Sequence, residues 1–222
     1  MPRPVNHRAA LESQWGTDAW VALTAAAMRT ERIRLGSMLT PLSRMRPWKL
    51  ASETATLDHL SNGRVILAVG LGAVDTGFEN FGEVTDRKTR AELLDEGLDI
   101  VIGLWRGELF DYKGKHYRVK PKSWHTPKPP LLVRKPRIPI WVVGAWFREK
   151  SMRRAARYDG LLPNVMGDDG KVRMSPPTLD ELRAMKVWLD EHRAATTPFD
   201  IIVDGETPGD DRAKAGAMMR ER

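Results

Sequence analysis

Short, uninterrupted apolar runs, separated by helix-like segments, restrict the possible folds of this chain more than any other feature. The runs at 65–69 and 140–143 contain no polar residue. Strands without polar alternation are buried on both faces, as in parallel sheets covered by helices. Between the runs, apolar residues recur every three or four positions, which is typical of amphipathic helices. This alternation predicts an α/β fold with a parallel sheet, either a barrel or a doubly wound sheet.

The boundaries of the elements follow from capping and turn residues. Thr17 or Asp18, Asp86 and Thr178 are suited to cap helix N-termini, and Pro47 is suited to a first helical turn. We predict five strands, at 33–39, 64–70, 140–144, 160–163 and 199–203. We predict helices at 18–32, 47–60, 86–105, 151–157, 178–192 and 210–220. Residues 1–222 are expected to form one domain, with an excursion at 106–138 that includes a hairpin around Lys113.

Several side chains are assigned to the interior from their periodicity. On the helix at 86–105 the inner stripe is Leu94, Leu98, Val101 and Trp105. The tryptophans Trp48, Trp105, Trp141 and Trp188 are expected in the core, whereas Trp124 and Trp146 are expected in loops and freer to contact a ligand. Asp58 and Arg64 flank the turn at 61–63, and we expect them to pair across it in a structural role.

The composition excludes several kinds of chemistry. There is no Cys, so no disulfide, thiolate metal site or Cys nucleophile is expected. The five His residues show no H-x-x-x-H spacing for a metal, and there is no G-x-S-x-G nucleophile motif. We therefore expect no metal site, identify no catalytic residue, and infer that an organic cofactor supplies the chemistry.

The charge is basic, at +7, but it is spread along the chain without a run of five or six like charges. Such a distribution suits a phosphate-bearing small ligand as well as a nucleic acid, and we expect no nucleic-acid partner. No apolar stretch approaches the ~18 residues of a membrane span. The first residues also lack a signal-peptide core. A cytoplasmic protein without a membrane partner is expected.

Sites in parallel α/β folds lie at the carboxyl ends of the strands. One such loop begins Gly70-Leu71-Gly72, where glycines permit close approach of a flat ring or a phosphate; the alternative is an ordinary tight turn. Another, at 144–151, precedes a helix and includes Arg148 and Lys150. It suits an anion, and the alternative is an ordinary helix start with solvated charges.

The chain resembles the luciferase-like monooxygenase family, flavin- or deazaflavin-dependent barrels similar to bacterial luciferase. The resemblance lies in the segments at 18–23, 30–37, 39–42, 46–51, 55–64, 69–72, 139–144 and 154–160, in that order. It implies a TIM-type (β/α)8 barrel with about five of eight strands present, the two opening strands and the C-terminal end being absent. It also implies FMN or the deazaflavin coenzyme F-420 as the cofactor.

The resemblance assigns cofactor-binding roles to eight residues. A strand end with a non-prolyl cis bulge supports the ring, a glycine turn lines the ring and ribityl chain, and a helix start holds the phosphate. These residues are Ser37 and Met38, then Gly70, Leu71 and Gly72, and then Gly144, Ala145 and Trp146.

The implied function is that of an oxidoreductase acting on a small organic substrate. Either reduced FMN activates dioxygen, or F-420 transfers a hydride. The position after the second glycine, acidic in some sugar-phosphate dehydrogenases of this kind, is Ala73, which argues against that reaction. The alternative is a non-catalytic or vestigial flavin-binding barrel fragment. We expect a homodimer formed through the helices at 18–32 and 47–60.

Overall fold

The computed structural model describes residues 18–120 and 131–204. The chain forms two compact units that divide between Val143 and Gly144. The first contains α1 (Ala19–Ala27), β1 (Thr40–Pro41), α2 (Pro47–Leu60), β2 (Leu67–Gly70), α3 (Arg87–Trp105), β3 (Tyr112–Lys113), β4 (Arg118–Val119) and the start of β5 (Ile140–Trp146). The second contains the end of β5, α4 (Glu149–Ala156), β6 (Gly160–Val165), α5 (Leu179–His192) and β7 (Asp200–Ile201).

The sheet of the first unit follows the order of the chain. β1 pairs in parallel with β2, and β2 pairs in parallel with β5, with Leu67 opposite Ile140. All four residues of β2 are buried. In the second unit β6 and β7 are also parallel, with Gly160 opposite Asp200. The predicted α/β class with parallel strands is therefore confirmed.

Helices α2 and α3 are joined through a buried tryptophan. The indole Nε1 of Trp105 donates to the Ala51 carbonyl at 3.3 Å and lies 3.2 Å from the Thr54 hydroxyl. The predicted inner stripe of α3 is confirmed, because Leu94, Leu98, Val101 and Trp105 are all buried.

The hairpin predicted around Lys113 is confirmed as the antiparallel pair β3 and β4. It is tied to α3 by one carboxylate. Glu96 accepts the backbone amides of Lys115, His116 and Tyr117 at 2.8–3.2 Å. Three consecutive amides thus converge on one side chain, and this fixes the hairpin against the helix.

In the second unit α5 begins after Thr178, the N-cap that the sequence indicated, and the structure shows that this cap is part of a capping box with Glu181. The Thr178 hydroxyl accepts the Glu181 amide, and the Glu181 carboxylate accepts the Thr178 amide. Arg173 also donates to this carboxylate at 2.7 Å, and its guanidinium is the main reason that the pKa of Glu181 is lowered to about 2.

The structure differs clearly from the predicted elements in the segment between α1 and β1. The strand predicted at 33–39 is reduced to one parallel bridge between Leu35 and Val65 and to the short β1 that follows. Ile33 and Met38 are more than half exposed, so that segment lacks the burial that a full strand needs. Helix α1 ends at Ala27 rather than near residue 32. The helix predicted at 210–220 and Trp124 lie outside the described residues.

The tryptophan assignments are correct only in part. Trp105 is buried, Trp141 and Trp188 are half-buried, and Trp48 is 48% exposed. Trp48 is in the first turn of α2, where its ring packs edge-on to Tyr117 with centroids 6.4 Å apart. Position in a periodic segment therefore does not by itself place a side chain in the core.

The predicted pairing of Asp58 with Arg64 is also wrong, although both residues are structural. Arg64 donates to the carbonyls of Ala27, Thr30, Ile33 and Ser61 at 2.7–2.9 Å. It therefore links the chain after α1 to the end of α2. The buried Asp58 carboxylate instead accepts the amides of Val133 and Arg134 at 2.7 and 3.0 Å.

Asp58→Ala should lower the free energy of unfolding by about 3 kcal/mol, because it leaves two backbone amides without an acceptor. Urea denaturation measures the change. Asp190→Ala, which removes an exposed pair with Lys186 on α5, is the control and should have little effect. Equal stability of the two variants would contradict the role assigned to Asp58.

Candidate functional site

The first group of predicted site residues lies where α1 leads into β1. The Ser37 and Thr40 hydroxyls are 2.7 Å apart, and Met38 is 61% exposed. The resemblance led us to expect a non-prolyl cis peptide here, and the bond between Met38 and Leu39 is cis.

The glycine turn lies beside this segment, at the carboxyl end of β2. Gly70 is the last residue of the strand and pairs with Pro41 of β1. Gly72 has φ +75°, and a Cβ there would lie 2.9 Å from both Phe78 Cζ and Pro41 Cβ. The glycine at 72 is therefore required by the turn and by the packing of Phe78. No turn hydrogen bond closes residues 70–72 within the described part of the chain, so the alternative of an ordinary tight turn is not confirmed, and cofactor contact stays a prediction.

An arginine that the sequence analysis missed holds this turn from the α3 side. Arg90 is buried, and its Nη1 donates to the carbonyls of Leu71 and Gly72 at 3.0 and 2.9 Å. Ser43 Oγ also donates to the Leu71 carbonyl, at 3.2 Å. The sequence did contain an indication of this role, because Arg90 lies four residues before Leu94, on the face of α3 that was predicted to be buried. A basic residue on a buried stripe needs a partner.

Phe78 is enclosed by two guanidinium groups. The Cζ atoms of Arg44 and Arg90 lie 4.4 and 5.2 Å from the centroid of its ring, within the range of cation–π attraction. Arg44 also donates to the Thr76 carbonyl at 3.3 Å and pairs with Glu83. The loop that follows β2 is thus fixed by contacts to both neighbouring helical segments.

The second group of predicted site residues lies in the second unit, at the end of β5. Gly144, Ala145 and Trp146 belong to the strand, not to the loop predicted for Trp146. A Cβ on Gly144 would clash with Leu161 and lie 3.0 Å from the Met152 sulfur. A larger residue at 144 would therefore disturb packing directly and would report poorly on a phosphate.

In the segment that leads into α4, where an anion was predicted to bind, some of the backbone amides already donate hydrogen bonds within the chain. The Ala145 amide donates to the Ser151 hydroxyl at 3.0 Å. Trp146 is 6% exposed, contrary to the expectation of a freer ring, and its indole Nε1 has no hydrogen-bond partner within the described part of the chain. Phe147 (φ 67°), Arg148 and Lys150 are exposed at the start of α4. The basic side chains are therefore accessible to an anion.

Over residues 18–120 and 131–204, no three side chains of His, Asp or Glu come together in a metal-binding arrangement. None of the helices in these ranges is both long and apolar enough to cross a membrane.

Gly72→Ala should destabilise the protein more than Gly82→Ala. Both positions have positive φ, which costs a non-glycine residue about 1–2 kcal/mol, but no atom lies within 4 Å of a Cβ at 82. The clash with Phe78 should cost Gly72→Ala about 2 kcal/mol more. Urea denaturation of both variants gives the difference, and equal losses would show that Phe78 does not pack on the turn as described.

Comparison with known proteins places this geometry in context. The pattern that defines the luciferase-like monooxygenases matches residues 7–218. The F420-dependent glucose-6-phosphate dehydrogenase of Nocardia farcinica is 41% identical over 191 residues, which cover 78% of this chain and 54% of that protein. The chain spans about half the length of the curated relatives it matches.

Solved structures show the same fold. The monooxygenase RslO1 of Streptomyces bottropensis matches with a TM-score of 0.65 and 26% identity, over 83% of this chain and 53% of that one. The oxygenating constituent of 3,6-diketocamphane monooxygenase of Pseudomonas putida, solved with FMN, matches with a TM-score of 0.62 and 22% identity, over 83% and 50% of the two chains. This chain belongs to the luciferase-like monooxygenase family and has its TIM-barrel type of α/β fold.

Proposed function

We propose that this protein is an oxidoreductase that uses either FMN or coenzyme F420 on a small organic substrate. The observation that carries the proposal is the family match over residues 7–218. The Nocardia relative is F420-dependent by its description, and the Pseudomonas neighbour was solved with FMN. Both cofactors present a planar ring and a phosphate, and each unit by itself has features that suit one of these groups.

The first unit fits the ring. At the carboxyl end of β2, the amides of Gly72 and Ala73 have no hydrogen-bond partner among the described residues. Two neighbouring donors suit the carbonyl oxygens of a flavin or deazaflavin ring. The thioether of Met38 is exposed beside this strand, and it offers apolar contact to a flat ring.

The second unit fits a phosphate through its charges. Arg148 and Lys150 are exposed at the start of α4, where the helix dipole also favours an anion. Glu149 lies between them but is engaged by Arg153 at 2.7 Å. The anion-binding role therefore falls to the two basic side chains more than to the Ala145 amide, which Ser151 occupies.

When bound, the cofactor supplies the redox chemistry, by dioxygen activation or by hydride transfer. The residues of this chain would bind the ring, hold its orientation and exclude water. Ala73 stands where some sugar-phosphate dehydrogenases of this kind carry an acidic group, so we propose a substrate other than a sugar phosphate. A flavin-binding protein without activity is the alternative that the following experiment separates.

Purified protein should bind FMN or F420, and the visible absorbance of the cofactor measures this binding. It should also convert substrate when supplied with FMNH2 and dioxygen or with reduced F420. Binding without turnover over a broad substrate panel would favour the non-catalytic alternative. Binding of neither cofactor would overturn the proposal.

The phosphate role has its own test in the same assay. The double variant Arg148→Gln/Lys150→Gln should weaken FMN binding about tenfold, as expected for the loss of charge-assisted contacts. It should leave riboflavin binding unchanged, because riboflavin lacks the phosphate. The control Arg183→Gln/Lys186→Gln, which removes two exposed charges from α5, should affect neither ligand.

We also propose that the protein is a homodimer that associates through α1 and α2. Trp20 and Leu57, which lie on these two helices, are buried within the chain and are not available to this surface. The exposed apolar side chains on and beside these helices are Val21, Met28, Trp48 and Leu60. Such side chains mark an association surface when they lie close together.

Val21→Glu should convert the dimer to a monomer of 25.1 kDa, measured by light scattering at micromolar concentration. Val187→Glu, on α5 and 58% exposed, is the matched control and should leave the dimer intact. A monomeric wild-type protein would contradict the proposed dimer.

A further inference from the structure

The turn after β2 is held by a buried cation without a paired carboxylate. Arg90 is 7% exposed, and the described part of the chain contains no ion pair between it and an acid. Burial is the main cause that lowers the pKa of Arg90, and the positive charge of Arg87 adds to it. A buried guanidinium needs acceptors. Here the acceptors are the carbonyls of Leu71 and Gly72.

These two hydrogen bonds determine where the neighbouring amides point. The peptide bonds from Leu71 to Ala73 are trans, since the cis bonds of the described residues lie elsewhere. In a trans peptide the carbonyl and the following amide point in opposite directions. Because Arg90 draws the Leu71 and Gly72 carbonyls toward α3, the amides of Gly72 and Ala73 are directed away from it.

The same contacts keep the turn from reorienting. Phe78 is 1% exposed, lies against Gly72 and is stacked by the guanidinium groups of Arg44 and Arg90. The Leu71 carbonyl accepts a second hydrogen bond, from Ser43. A flip of either peptide would remove one of the two acceptors of a buried guanidinium, a cost of about 1–3 kcal/mol.

We propose that Arg90 is a positioning residue for the cofactor: it presents the amides of Gly72 and Ala73 as a pair of donors to the carbonyl edge of the ring, and it favours the reduced ring over the oxidised one. This inference rests on the proposed function. The charge acts through the peptide groups, because an arginine that polarises two carbonyls strengthens the amides on the far side of the same peptides. The reduced ring is richer in electrons at its carbonyl edge, so it gains more from these donors.

The test compares Arg90→Met, which keeps the length of the side chain without its charge, with Arg90→Lys, which keeps the charge but not the planar fork. Arg87→Met is the matched control, because Arg87 is exposed on the first turn of the same helix. The dissociation constants of oxidised and reduced FMN and F420 are measured for each protein.

Arg90→Met should weaken binding of the reduced cofactor about tenfold more than binding of the oxidised one. For a two-electron couple, this ratio lowers the midpoint potential of the bound cofactor by about 30 mV. Arg90→Lys should recover part of the shift, and Arg87→Met should show none. Equal weakening of both redox forms, or unchanged binding, would overturn the inference.

Hydrogen exchange in the cofactor-free protein provides a second readout. The amides of Phe78 and Glu83 donate within the loop, to Val74 and Phe78 at 3.3 and 2.9 Å. Arg90→Met should reduce their protection, whereas Arg87→Met should not. Unchanged protection in Arg90→Met would show that Arg90 does not hold the turn.

Two further outcomes separate this inference from the proposed function. If Arg90→Met does not fold, Arg90→Lys is compared with the wild type, and a lowered potential supports the inference while an unchanged one overturns it. If the wild-type protein binds neither cofactor, the proposed function fails and the cofactor part of the inference falls with it. The exchange data then still decide whether Arg90 fixes the turn.

Discussion

Burial of β2 on both faces is the constraint on which the first unit depends. A strand with four buried residues must pair on both edges to satisfy its backbone, and it does so with β1 and β5 in parallel. Parallel pairing directs the ends of these strands to the same edge of the sheet. The turn that follows Gly70 is thereby placed at the edge where ligands bind in α/β proteins.

The turn is stabilised by groups that come from separate parts of the chain. Ser43 and Arg44 precede α2, Phe78 belongs to the loop, and Arg90 lies in the first turns of α3. None of these side chains is a reactive group in the proposed chemistry. Their contribution is to hold the loop after β2 in place, and in the function proposed above they would keep a small set of backbone donors in one orientation for the cofactor.

Polar side chains perform a similar structural role elsewhere. Glu96 accepts three consecutive amides of the hairpin, and Asp58 accepts two amides of the segment that leads to β5. Arg64 acts as the donor instead, and its guanidinium donates hydrogen bonds to four backbone carbonyls. In each case a charged side chain satisfies backbone groups that no helix or sheet can serve, and irregular segments are fixed against the regular elements.

Much of this could be predicted from the sequence, because local patterns decide local structure. The continuous apolar run before Gly70 predicted a strand buried on both faces, Asp86 and Thr178 predicted helix starts, and the stripe from Leu94 to Trp105 predicted the inner face of α3. The motifs along the chain were sufficient to identify the family. The eight assigned site residues remain predictions from that resemblance.

The sequence by itself determined most of the helices and strands, because hydrophobic period and capping chemistry act over a few residues, but it did not determine the segment between α1 and β1. Only the tertiary structure decided the partners of the charged groups, because hydrogen bonds between distant segments depend on how those segments pack. Asp58 and Arg64 are six positions apart and were expected to pair, yet each satisfies backbone groups contributed by other segments. Arg90 is 19 positions from Leu71 and holds its carbonyl, because the folded chain places α3 beside the turn.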